Sequence, residues 1–85
     1  MTIPQYREPT PPGEILLEDF LKLSDLTMEA AADQMGVPVN VLKEIGTGAR
    51  SVTADTASRL ATLTGTTPQF WLNLQTAVDL YRARS

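Results

Sequence analysis

Cysteine and histidine are both absent from the 85 residues. Without cysteine there is no disulfide framework and no thiolate metal site. Without histidine, zinc binding and imidazole acid–base chemistry lose their usual ligand and proton carrier. Long apolar runs are missing as well. No stretch approaches the roughly 18 apolar residues that a membrane span needs, and the N-terminus has no signal-peptide h-region, so a cytoplasmic protein is expected. Positive charge is scarce: seven Lys and Arg stand against ten Asp and Glu, for a net charge of −3. A stand-alone DNA binder usually shows a basic excess. This balance therefore asks for a basic face segregated from an acidic one, or for a partner that is itself basic. The carboxylates are scattered and form no recognisable pair, so no catalytic site, cofactor or metal is expected.

What is present is helical periodicity along nearly the whole chain, with no strand-like alternation and no internal repeat. Eighty-five residues make one domain. A domain of this size buries only about 60–65% of the surface exposed on unfolding, so self-association is a reasonable expectation. Pro4, Pro9, Pro11 and Pro12 forbid helix in the leading segment, and 1–11 reads as a flexible, extended arm. The folded domain is expected over 12–85. Its first helix runs from Gly13 to Leu23, with Leu16, Leu17, Phe20, Leu21 and Leu23 inward and Glu14, Glu18 and Asp19 outward. Thr27 is a good N-cap for a second helix, Met28 to Met35. A third begins with Pro38 at its first position, preceded by Val37, which offers no side-chain cap, and ends at Gly46 or Gly48. Thr53 caps a fourth, Ala54 to about Thr64, which Gly65 stops. Thr67 caps a fifth with Pro68 at its first position, covering 68–83.

The second and third of these helices have the spacing of a helix-turn-helix. Two helices crossing steeply need a small residue where they touch, which Ala32 supplies, and a turn residue that accepts a left-handed backbone, which Gly36 supplies. Val37, Leu42 and Ile45 would pin the second of the pair to the core. In such a unit the second helix presents its N-terminal part to base edges while the first crosses the phosphate backbone. The outward positions are Pro38, Val39, Asn40, Lys43 and Glu44. Asn40 is a candidate for a bidentate pair with adenine, Val39 for a thymine methyl and Glu44 for cytosine N4, with Lys43 on phosphate or guanine. Thr27 and the free N–H groups behind it are a candidate phosphate site. Thr47, Arg50 and Thr53 flank the following loop, where the backbone would lie, although N-capping explains Thr53 equally well. Phe70, Trp71, Leu74 and Tyr81 recur at helical spacing as anchors of the core or of a dimer contact.

Three segments, in this order, resemble one family. They are Pro12-Gly13-Glu14-Ile15-Leu16 with Glu18-Asp19-Phe20-Leu21; Ala54-Asp55-Thr56-Ala57 with Arg59-Leu60-Ala61; and Gly65-Thr66-Thr67-Pro68-Gln69-Phe70-Trp71-Leu72-Asn73-Leu74-Gln75. They are similar to the HigA antitoxin family, also called virulence-associated protein I, a branch of the Cro/repressor-like (XRE) helix-turn-helix proteins. The resemblance implies an all-α, five-helix, lambda-repressor-like DNA-binding fold in which 68–83 is a packing or dimerisation helix. It further implies the antitoxin of a type II toxin–antitoxin system. Such a protein neutralises a small basic HigB/RelE-like mRNA-cleaving toxin from the neighbouring gene. As a homodimer on double-stranded operator DNA it also represses its own operon. Two alternatives stay open: a transcriptional regulator without a toxin, and a protein-binding module whose reading helix has degenerated. The acidic residues Glu14, Glu18, Asp19, Asp25, Glu29 and Asp33 crowd the first two helices, either to steer a basic partner or as a plain solvated face.

Overall fold

The computed structural model describes residues 9–84. Residues 1–8 of the expected arm lie outside that range, and 9–11 are non-helical. Five helices follow. The first, α1, covers 12–24: it is α-helical over Pro12–Ile15, π-helical over Leu16–Leu21 and α-helical again over Lys22–Ser24. Then come α2 (Met28–Met35), α3 (Val39–Thr47), α4 (Ala54–Thr64) and α5 (Pro68–Ala83). Among the described residues there is no strand. Among them, too, no helix is long and apolar enough to cross a membrane.

Three threonines start helices as their positions predict. The hydroxyl oxygens of Thr27, Thr53 and Thr67 accept the backbone N–H of Ala30, Thr56 and Phe70 respectively. At Thr53 the cap is reciprocal, because Thr56 Oγ1 accepts the Thr53 N–H at 2.8 Å. Two helix starts differ from expectation. Pro12 already belongs to α1, with Pro11 as its N-cap. Pro38 is the N-cap of α3 rather than its first residue: its ψ of 143° is extended, and its carbonyl accepts the N–H of Val41 (3.0 Å) and Leu42 (3.4 Å). A locked φ near −65° suits either position, so sequence alone does not separate them. Gly48, not Gly46, ends α3.

The π-helical stretch corrects the expected inner face of α1. Leu23 is 80% exposed. Bonds from i to i+5, such as Lys22 N–H to Leu17 carbonyl, bring residues five apart onto one side. Leu16 and Leu21 are accordingly both buried, and the face has rotated away from Leu23. The helix then ends on Asp25, whose φ of 59° and ψ of 33° are left-handed. Asp tolerates that region better than most non-glycine residues.

The core joins all five helices around Trp71, which is fully buried. Its indole N–H donates to Thr66 Oγ1 at 2.7 Å, which satisfies the one polar group of the ring. Phe20 of α1 lies at 5.7 Å between ring centroids. Phe70 meets the indole edge-on at 5.1 Å. Ala31 and Ala32 of α2 are buried with Leu42 and Ile45 of α3 and Ala57, Leu60 and Ala61 of α4. Small residues on α2 and α4 let α2 lie against both α3 and α4, and α5 closes the other side of α4.

α1 meets α3 through backbone. A Cβ on Gly13 would run into the carbonyl of Ile45 and the Cα of Gly46. Gly46 in turn lies under the Leu17 and Met28 side chains. Gly13→Ala is therefore expected to wedge α1 away from α3, costing about 2–3 kcal/mol by analogy with overpacked cores. For a domain of this size that lowers the melting temperature by on the order of 10 °C or more, readable in a thermal melt. A variant melting with the parent protein would show that the two backbones do not touch.

Candidate nucleic-acid interface

With Leu42 and Ile45 facing inward, the opposite side of α3 is fixed by arithmetic. At about 100° per residue, Asn40, Lys43, Glu44 and Thr47 fall within roughly 100° of arc. All four are exposed, as is Pro38 just before the helix. Val39, expected to project with them, is instead half-buried against the core. Lys43 has no ion pair among the described residues. Asn40 likewise leaves its amide without an intramolecular partner among them. Together these side chains form a short polar stripe in which Asn40 and Lys43 are the members without a partner among the described residues.

Behind this stripe the chain turns through 48–53, and its geometry is held from several sides. The Glu44 carbonyl accepts the N–H of Ala49 (2.8 Å) and of Arg50 (3.2 Å), and also the Thr47 hydroxyl at 3.2 Å. The Glu44 carboxylate binds Arg50, with Oε1 at 2.8 Å from Nε and 2.6 Å from Nη2. Glu44 and Arg50 thus sit next to each other as a half-exposed pair. Thr53 uses its hydroxyl as the cap of α4, at 3.3 Å from the Thr56 N–H. Thr27 is engaged likewise, at 3.1 Å from the Ala30 N–H.

Two residues outside the stripe fix its setting, and neither stood out in the sequence as functional. Gln75 of α5 is buried, and its Oε1 accepts the Val52 N–H at 2.9 Å. Its Nε2 donates to Asp79 at 2.9 Å, so α5 holds the loop that carries Arg50. The signal for it was an amide on the same inner stripe as Trp71 and Val78. Arg59 of α4 pairs with Asp55 as its i, i+4 spacing predicts, at 3.0 Å. Its Nη1 also donates to the Met35 carbonyl at 2.7 Å. That bond satisfies an open carbonyl at the end of α2, beside Gly36, whose φ of 73° makes the turn. No local pattern announces a contact across 24 residues.

The remaining candidates separate by burial. Trp71 belongs to the core, Phe70 is 38% exposed, Leu74 is half-buried against the core, Tyr81 is half-buried, and Leu80 is 61% exposed. Glu14, Glu18, Asp19, Asp25, Glu29 and Asp33 are all exposed on α1, α2 and the turn between them. Of these, Glu18 has a cation at hand, Lys22 at 3.7 Å.

Gln75→Leu leaves the Val52 N–H buried without an acceptor, which should cost about 1–3 kcal/mol. Hydrogen exchange at Val52 is expected to accelerate beyond what the loss of global stability explains. Unchanged protection of that amide would show that another acceptor holds the loop.

A helix-turn-helix family model matches residues 17–71. Virulence-associated protein I of Dichelobacter nodosus is 43% identical over 86 residues, an alignment covering 98% of this chain and 80% of that protein. Antitoxin HigA-1 of Vibrio cholerae is 42% identical over 79 residues, covering 93% and 74%. Among solved structures, that of the Pseudomonas aeruginosa antitoxin HigA with the higBA promoter superposes with a TM-score of 0.84 at 37% identity, covering 88% of this chain and 82% of that one. The motif spacing, the five-helix core and these relatives agree: the chain belongs to the Cro/repressor-like (XRE) helix-turn-helix family, in the branch of the HigA antitoxins and virulence-associated protein I.

Proposed function

We propose that this chain is a HigA-type antitoxin that represses its own operon through α3 and neutralises a small basic RelE-like mRNA-cleaving toxin. The observation that carries the DNA half is the outward stripe of Asn40, Lys43 and Thr47 beside the Arg50 loop, on a helix whose other side is locked into the core. Support comes from relatives solved with operator or promoter DNA. In this reading Asn40 and Lys43 meet base edges and phosphate, and Arg50, Thr47 and the N-terminus of α2 meet the backbone. The protein acts as a homodimer on a two-fold operator, with the flank of α5 that carries Phe70, Leu74 and Tyr81 as the surface that pairs. The toxin half is carried by the acidic surface of α1 and α2, which would steer a basic partner.

Few cations face the DNA, so the phosphate contribution is small. About three phosphate contacts per protomer give a dimer a log–log salt slope of roughly −5. Fluorescence anisotropy with the duplex upstream of its gene is expected to show binding by the free protein that is weaker than nanomolar at physiological salt and tightens when the toxin is added. Asn40→Ala should cost about 1–3 kcal/mol on the operator and relax specificity at one base pair. Lys43→Ala should weaken all duplexes and flatten the slope by about 1 per protomer. If both variants bind as the parent does, α3 does not read DNA. Co-purification with the product of the adjacent gene tests the toxin half, and two products that elute separately would refute it.

A further inference from the structure

Of the two cations that α3 and its loop bring to the outward side, one is already occupied. We propose that Glu44 is a resident competitor for Arg50, a carboxylate holding the guanidinium edge that a DNA phosphate would take, so that Glu44 sets affinity for nucleic acid without contacting it. This rests on the reading of α3 as the DNA-facing helix.

The geometry has three parts. One oxygen, Glu44 Oε1, serves both Nε at 2.8 Å and Nη2 at 2.6 Å. That edge is one of the two on which a guanidinium grips a phosphate, the other being the Nη1–Nη2 end, and carboxylate and phosphate use the same donors there. On this edge the two occupants compete. Second, the pair lies at the surface, with side chains 50% and 47% exposed. Water screens such a pair, and an incoming phosphate can displace the carboxylate. The contact therefore tunes binding; it does not block it. Third, the backbone places Arg50 beside Glu44 whatever the side chain does, since the Glu44 carbonyl accepts the N–H of Ala49 and Arg50. Changing the carboxylate alone leaves the loop where it is. The other paired cations are not available as substitutes: Lys22 sits with Glu18 on α1, and Arg59 is turned to Asp55 and the Met35 carbonyl.

Glu44→Gln keeps the side-chain length and removes the charge. Two rival roles for Glu44 predict the opposite sign. If Glu44 accepted from a cytosine, or aimed Arg50 at its phosphate, the variant would lose operator affinity. A competitor predicts a gain, spread over every sequence because phosphates are the same everywhere.

The test measures anisotropy of the full chain, its E44Q and R50Q variants and the double variant, on the operator duplex and on a scrambled duplex across a salt series. E44Q is expected to tighten both duplexes by similar, several-fold factors and to steepen the salt slope by roughly 1 per protomer. R50Q is expected to cost less in the parent protein than in the E44Q background, since only there does no carboxylate compete for Arg50. Weaker or unchanged operator binding by E44Q overturns the proposal, as does an equal cost of R50Q in both backgrounds. If parent and variants melt as folded proteins yet bind neither duplex, the DNA-facing reading itself has failed and this proposal falls with it.

Discussion

α3 starts without a side-chain cap and buries only two side chains completely, Leu42 and Ile45. Such a short helix does not hold its own angle. It is clamped by the approach of Gly13 to the Ile45 carbonyl and Gly46, a backbone contact that leaves no room for a Cβ. On the other flank the alanines of α2 lie flat against it. Every property of the outward stripe follows from these two contacts, because rotating α3 by one residue would exchange Asn40 and Lys43 for Val39 and Leu42. Interiors packed at this density have few intermediate settings.

The same logic extends to the chain on either side of α3. Arg59 reaches from α4 to the last carbonyls of α2, and Gln75 reaches from α5 to the loop after α3. Both ends of the reading unit are therefore tied to the scaffold through single polar side chains. Each meets a backbone group that would otherwise be left open, so the loss of either would be felt as desolvation without compensation. α5 consequently has two tasks. Its inner side, Trp71, Gln75 and Val78, fixes both the core and the Arg50 loop, while Phe70 and Leu80 remain exposed.

Helix extents and caps were legible because their causes are local. Thr27, Thr53, Thr67 and Pro68 act within one turn, and the apolar spacing of α4 and α5 is regular. The departures come from non-local causes. The π-helical stretch in α1 keeps Leu16 and Leu21 buried as expected but turns Leu23 out to solvent, and periodicity taken at 3.6 residues per turn has no means of anticipating it. Val39 is half-buried because it lies three residues before the buried Leu42, on the flank of the inward side of α3. At the candidate site, Asn40, Lys43 and Thr47 project as their spacing requires, but the partner of Glu44 was not foreseen. Its separation of six residues from Arg50 crosses a helix end, where helical arithmetic no longer applies.

Charge is divided unevenly over the molecule. The outward side of α3 carries Lys43 and a partly neutralised Arg50, while the exposed acids of α1 and α2 carry most of the negative charge. Two-dimensional amide NMR during titration with operator duplex tests this division most directly. Shifts centred on 39–50 and on the first turn of α2, with the outer sides of α1 and α5 silent, are the expected result. Shifts confined to α1 or α5, with α3 unmoved, would contradict it.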